Sequence, residues 1–317
     1  MAEALLWVCV TACAAALAYA VVSPVQCSAS ELCQHAEARM LLGFSQSTLY
    51  ALGGFVMHDA LSHLMVRLSN RAVAHIVPNI RTWFLSTELV CSMFIVLCLE
   101  HLILAKSTRA WYAHISDASL PVYTVVYVEW LFNVPILLTL TGTCALGIPL
   151  QQIRRPILVT NLYIVLSWAA HFISHQGLRW GVVCGAFGMY AHASRDMLRW
   201  RTEFDRRAPL DAAHRVLKQI LPAALVIVFG LYGAIYLFSF TQRISAQTER
   251  WWYLTLDICT KMAMSMCITV IRFGEIFDFL LESVIQTHIP FQRQHCSLEE
   301  ALSQIDPDII LSRVLSD

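Results

Sequence analysis

Lys261 stands in the middle of a long apolar run that begins at Trp251-Trp252 and continues to Leu281. Moving a cation to a bilayer centre costs about 2.5–3.5 kcal/mol on insertion scales, so this lysine needs a compensating group. Asp257 precedes it by four residues in Leu256-Asp257-Ile258-Cys259-Thr260-Lys261, one helical turn away on the same face. Two chemistries suit a buried lysine beside a carboxylate: a structural ion pair, or an amine that forms a Schiff base with a carbonyl ligand. Those six residues leave both open. A second acid, Glu129, lies in another apolar run, Tyr127-Val128-Glu129-Trp130-Leu131-Phe132-Asn133-Val134-Pro135. By itself this run reads equally as a satisfied buried glutamate beside a helix-bending proline.

The elements that must position these groups are membrane helices. Of 317 residues, 57% are hydrophobic and 14% charged, and mean hydropathy is +0.59; the apolar runs are long enough to span a bilayer. Eight such segments stand at about 3–22, 40–66, 82–105, 118–146, 156–174, 178–200, 216–240 and 251–283. None alternates as a barrel strand does, so the expected class is an all-α membrane bundle. Arginines cluster in alternate loops, at Arg67, Arg71 and Arg81, at Arg154 and Arg155, and from Arg199 to Lys218. The positive-inside rule makes those loops cytoplasmic, and with eight spans both termini then face the cytoplasm. The first segment ends in Ala18-Tyr19-Ala20, like a signal-peptidase site, but Met-Ala-Glu carries no positive charge, which favours a retained helix.

Lys+Arg and Asp+Glu both total 22, which gives no basic excess for a nucleic-acid partner. Most of the 11 cysteines fall in apolar runs and read as small hydrophobes. Cys27 and Cys33 lie in a polar loop, where a disulfide and two free thiols are both open readings. His171 with His175, and His58-Asp59 with His63, have ligand-like spacing but read as structural, and no metal site is expected. After Leu281 the chain turns polar; Ser297-Leu298-Glu299-Glu300 fits a capping box, and the last stretch reads as a frayed tail or a linker.

Taken together, Tyr-x-Glu129-Trp130, the proline six residues after Glu129, and Leu-Asp257-x-x-x-Lys261 in the last segment resemble the microbial (type 1) rhodopsins over residues 40–283. The resemblance implies seven helices with one extra N-terminal span, and all-trans retinal held covalently on Lys261 as a protonated Schiff base. Glu129 would be the counterion and proton acceptor, and Asp257 the second counterion. Trp130, Asn133, Val134 and Pro135 would belong to the retinal pocket, with Trp180 and Cys184 from the sixth segment as weaker matches. In the seventh segment Phe229, Tyr232, Gly233 and Tyr236 fall where the family has Trp-x-x-Tyr-Pro-x-x-Trp.

The departures narrow the output. Outward pumps of the family carry a carboxylate eleven residues after the counterion and often an arginine three before it; here those positions are Leu140 and Val126. Channelrhodopsins pair a cysteine in the following Thr-Cys-Pro with an aspartate in the next helix, where this chain has Asn133-Val134-Pro135 and Asn161. Glu88 and Glu100, with Asp59, are too few acids to suggest a lined cation path. The extra helix, the glutamate counterion and the tail together resemble the enzymerhodopsins, and the spacing from Glu129 to Asp257 and Lys261 is similar to that of the choanoflagellate rhodopsin-phosphodiesterases. That implies an extra helix and loop at 1–39, a retinal domain at 40–284 and a tail or linker at 285–317. It also implies a homodimer in the plasma membrane and a C-terminal cyclic-nucleotide phosphodiesterase as effector. Light would isomerise the retinal, the Schiff base proton would move to Glu129, and the last helices would signal. A light-gated channel or weak proton pump is the alternative.

Overall fold

A computed structural model describes residues 80–106, 112–113, 122–208 and 214–288. Six α-helices make up nearly all of it: α1 (Ile80–Lys106), α2 (Thr124–Thr139), α3 (Leu150–Ala170), α4 (Gln176–Arg207), α5 (Arg215–Phe240) and α6 (Ala246–His288). They correspond in order to the third to eighth apolar segments. The first two segments, Cys27, Cys33, His58, Asp59, His63 and the tail beyond His288 lie outside the described residues. Thr124–Ala145, Arg215–Phe240 and Thr248–Glu275 are each long and apolar enough to cross a membrane. The chain is an integral membrane protein.

Two local features depart from the expected plain helices. Residues 118–123 were expected inside the fourth segment, but Val122 and Tyr123 pair antiparallel with Ala113 and Tyr112, and α2 begins only at Thr124. At its other end α2 widens into a π-helical turn, Leu140–Ala145. Pro135 lacks a backbone donor, and its own carbonyl accepts from Thr139 Oγ1 at 2.8 Å. The following turn closes through Ile148 N to Gly142 O at 2.8 Å, with Gly147 at φ 65°, a conformation that glycine adopts without strain.

Helices adjacent in sequence pack as neighbours: α1 on α2, α2 on α3, α3 on α4 and α4 on α5, while the π turn touches α1, α3 and α5. Their common core contains the fully enclosed Met93, Phe94 and Leu97 of α1, Leu138 and Leu140, Ile153 of α3, Met197 of α4 and Leu225 of α5. Gly142 permits the closest approach. A Cβ there would lie 2.4 Å from Ile153 Cδ1. Apolar side chains also point outward, among them Ile227, Phe238 and Met266, as expected of helices whose solvent is lipid. α4 is the most polar of the set and runs seven residues past the expected end, on exposed Arg201, Arg206 and Arg207. Packing divides the chain after Ile271; in the second unit Arg272 Nη1 donates to Glu275 Oε2 at 2.6 Å.

Candidate functional site

The centre of the site is Lys261, 1% exposed. Its Nζ donates to Glu129 Oε1 at 2.5 Å, across from α6 to α2, and also to Asp257 Oδ2 one turn earlier on α6. Each acid is held in turn by a neutral donor. Asn133 Nδ2, one turn beyond Glu129 on α2, donates to Glu129 Oε1 and, at 3.2 Å, to the Met93 carbonyl of α1. The Tyr232 hydroxyl of α5 donates to Asp257 Oδ1 at 2.9 Å. The amine thus sits between two carboxylates fixed from three other helices. Removing one member of such a buried pair typically costs about 3–5 kcal/mol, because the remaining charge is stranded.

A third acid joins them. Carboxylate oxygens of Glu100, Glu129 and Asp257 all lie within 4.8 Å of one another, and all three residues are buried. Glu100 arrives from α1, and its Oε1 accepts from Arg250 Nη2 of α6 at 3.3 Å.

Beside this cluster lies a cavity with mostly apolar and aromatic walls and with Asp257 and Lys261 in its lining. Trp130 forms one wall, packed edge-on against Tyr232 at 5.0 Å and Tyr253 at 4.9 Å between ring centroids. Asn133, Val134, Phe229, Gly233 and Tyr236 also line it. Phe187 of α4 packs against Gly233, where a Cβ would lie 3.1 Å from its ring.

Not every expected residue reaches the cavity. Pro135 lies inside α2 and does not line the cavity. Trp180 packs on Phe240 at 5.1 Å near the start of α4, and Cys184 is exposed. The α4 residues on the cavity are instead Ala186, Phe187 and Tyr190. Matching by analogy set the α4 contribution one to two turns early, on a helix whose weak amphipathicity gives no register. Asn161 donates to the Leu131 carbonyl at 3.4 Å and does not line the cavity. His171 hydrogen-bonds the Tyr127 hydroxyl at 3.3 Å, whereas the His175 ring accepts from Leu178 N at the start of α4. The two imidazoles therefore serve different partners. Sequence reading missed Glu100 and Arg250 at the cluster, and Tyr127, Tyr163 and Tyr190 on the cavity.

No protein-family model matches the chain, and no curated protein matches it by sequence. Solved structures do. The crystal structure of the transmembrane domain and linker region of Salpingoeca rosetta rhodopsin phosphodiesterase is similar at a TM-score of 0.65 and 16% identity, over 90% of this chain and 97% of that one. The fold is that of the microbial rhodopsins. Its neighbours also include a light-driven proton pump rhodopsin of Coccomyxa subellipsoidea, at 0.58 and 16% over 74% of this chain and 96% of that one. A proton-pumping rhodopsin of the marine alga Acetabularia acetabulum matches at 0.61 and 14%, over 77% and 98%. Within this rhodopsin fold, the buried lysine and its acids lie where α1, α2, α5 and α6 converge.

Proposed function

We propose that this protein is a retinal-binding photoreceptor, with all-trans retinal attached covalently to Lys261 as a protonated Schiff base. The observation that carries the reading is the Lys261 amine, buried between Glu129 and Asp257 on the lining of an aromatic cavity. The residues fit the group: an amine for an aldehyde, apolar and aromatic walls for a polyene, and two carboxylates for the cation. When bound, retinal would supply light absorption and an isomerisation that displaces the Lys261 nitrogen to which it is attached.

The chain's residues do the rest. Glu129 is the counterion and the proton acceptor. Its Oε1 is occupied by Lys261 and Asn133, while Oε2 has no hydrogen-bond partner among the described residues and stands ready to hold a proton. Asp257, fixed by Tyr232, is the second counterion and keeps one negative charge beside the nitrogen when Glu129 is neutral. Trp130, Tyr232 and Tyr236 confine the polyene and, with Phe229 and Phe187, exclude water from the charges.

The output we infer is signalling rather than transport. A seven-helix bundle with an extra N-terminal span at 1–39, the retinal domain at 40–284 and a linker at 285–317 would place both termini in the cytoplasm at the plasma membrane. Two such chains would form a homodimer, and a C-terminal cyclic-nucleotide phosphodiesterase would be the effector. Likeness to the Salpingoeca rosetta domain and its linker over 90% of the chain supports this. The second reading is a weak proton pump, to which the likeness to two proton pumps lends support, or a light-gated channel. Lys261→Ala tests the shared premise: the visible band formed on adding all-trans retinal disappears, and a variant that keeps the band refutes it.

A further inference from the structure

We propose that Glu100 is a third carboxylate of the Lys261 site, and that Arg250 is the residue that positions it. The inference rests on the retinal reading for its spectral consequence, but the charge cluster itself is present without the chromophore. Glu100 is 5% and Arg250 2% exposed, so neither charge is a solvated surface group. Two buried ions persist only when paired, and here the pair spans α1 and α6, 150 residues apart in sequence.

The position of the pair gives it a role beyond holding two helices together. Glu100 offers a carboxylate oxygen within 4.8 Å of both Glu129 and Asp257. Three acids this close repel one another, and two cations lie among them: Lys261 on Glu129 and Asp257, Arg250 on Glu100. The neighbouring acid on α6, Glu249, turns to α5 and accepts from Ser239 Oγ at 2.5 Å. Among the described residues, the charged groups around Glu100 are therefore Glu129 of α2, and Asp257, Lys261 and Arg250 of α6, with Tyr232 of α5 reaching the cluster through Asp257.

Val126, one turn before Glu129, carries no charge, so α2 brings no arginine to its own acid. The arginine comes from α6, eleven residues before the lysine it accompanies. One helix thus presents both cations, and Glu100 is the acid that links them. Any positive nitrogen on Lys261 feels the Glu100 charge through the cluster, without contact.

Glu100→Gln tests this in two preparations. In the pigment, loss of an anion near the nitrogen moves the absorption maximum to the red, by less than Glu129→Gln, which removes an anion in direct contact. In the retinal-free protein in detergent, thermal unfolding of the cycle combining Glu100→Gln with Lys261→Met shows non-additive effects. The cycle with Arg250→Gln does the same, the double variant melting above Arg250→Gln alone. A Glu100→Gln band at the wild-type maximum, or additive melting in the Lys261 cycle, overturns the proposal. If the wild-type protein forms no band at all, the retinal reading fails and the melting cycles alone decide. Should Glu100→Gln not accumulate, Arg250→Gln moves the band and Arg250→Lys leaves it in place; a band unmoved by both refutes the positioning role.

Discussion

Charge inside an apolar helix is the most legible kind of residue-scale information, because it is costly and therefore rare. Lys261, Asp257 and Glu129 stood out for that reason, and the structure brings all three into contact. Glu100 carries the same physical signal, whereas Arg250 stands just before the apolar run that holds Lys261, and nothing local in either stretch points to the other. Asn133 was expected on the pocket; its hydrogen bond to Glu129, one turn away, adds a second task. On the photoreceptor reading, replacing Glu129 with Gln removes an anion in contact with the Lys261 nitrogen, so the ground state loses stabilisation and the dark-state absorption maximum moves to the red. Recording dark spectra of both purified pigments checks this, and an unchanged or blue-shifted maximum argues against the counterion role.

Helices were readable from apolar length, and their ends were not. α4 continues to Arg207 because Trp200 and Phe204 stay buried on one face while Arg201, Arg206 and Arg207 lie exposed on the other, a mixed composition that apolar length does not register. The π turn at Leu140–Ala145 and the short ladder between Tyr112–Ala113 and Val122–Tyr123 depend on tertiary contacts that leave no trace in hydropathy. Gly142 is the element-scale pivot. Its missing side chain lets the π turn meet the fully buried Ile153 of α3, so any larger residue must push against packed atoms. Gly142→Leu is expected to destabilise the protein by about 1–3 kcal/mol, as overpacking in a filled core does. Thermal unfolding of the retinal-free protein in detergent checks this, and a melting temperature equal to wild type shows that the α2–α3 contact yields easily.

Across the whole molecule, the rhodopsin fold is shared by proteins described as light-driven pumps and by the transmembrane domain of a rhodopsin phosphodiesterase, so fold alone does not select an output. Selection rests on particular positions. Leu140 is fully buried and has no proton to give, and Val126 carries no charge, so neither position supplies the group expected of an outward pump. Illuminated cells expressing the protein are therefore expected to show no sustained photocurrent under voltage clamp. A steady outward current favours the pump reading, and a current that reverses with membrane potential favours a channel.

The proposed photoreceptor role depends on retinal bound at the Lys261 nitrogen. The most direct measurement is to reconstitute the purified protein with all-trans retinal, reduce the linkage with borohydride and map the peptides by mass spectrometry. The retinyl group is expected on the peptide containing Lys261 and on no other. A retinyl group on a different lysine, or none on a protein that has been exposed to retinal, contradicts the assignment of this cavity as a chromophore site.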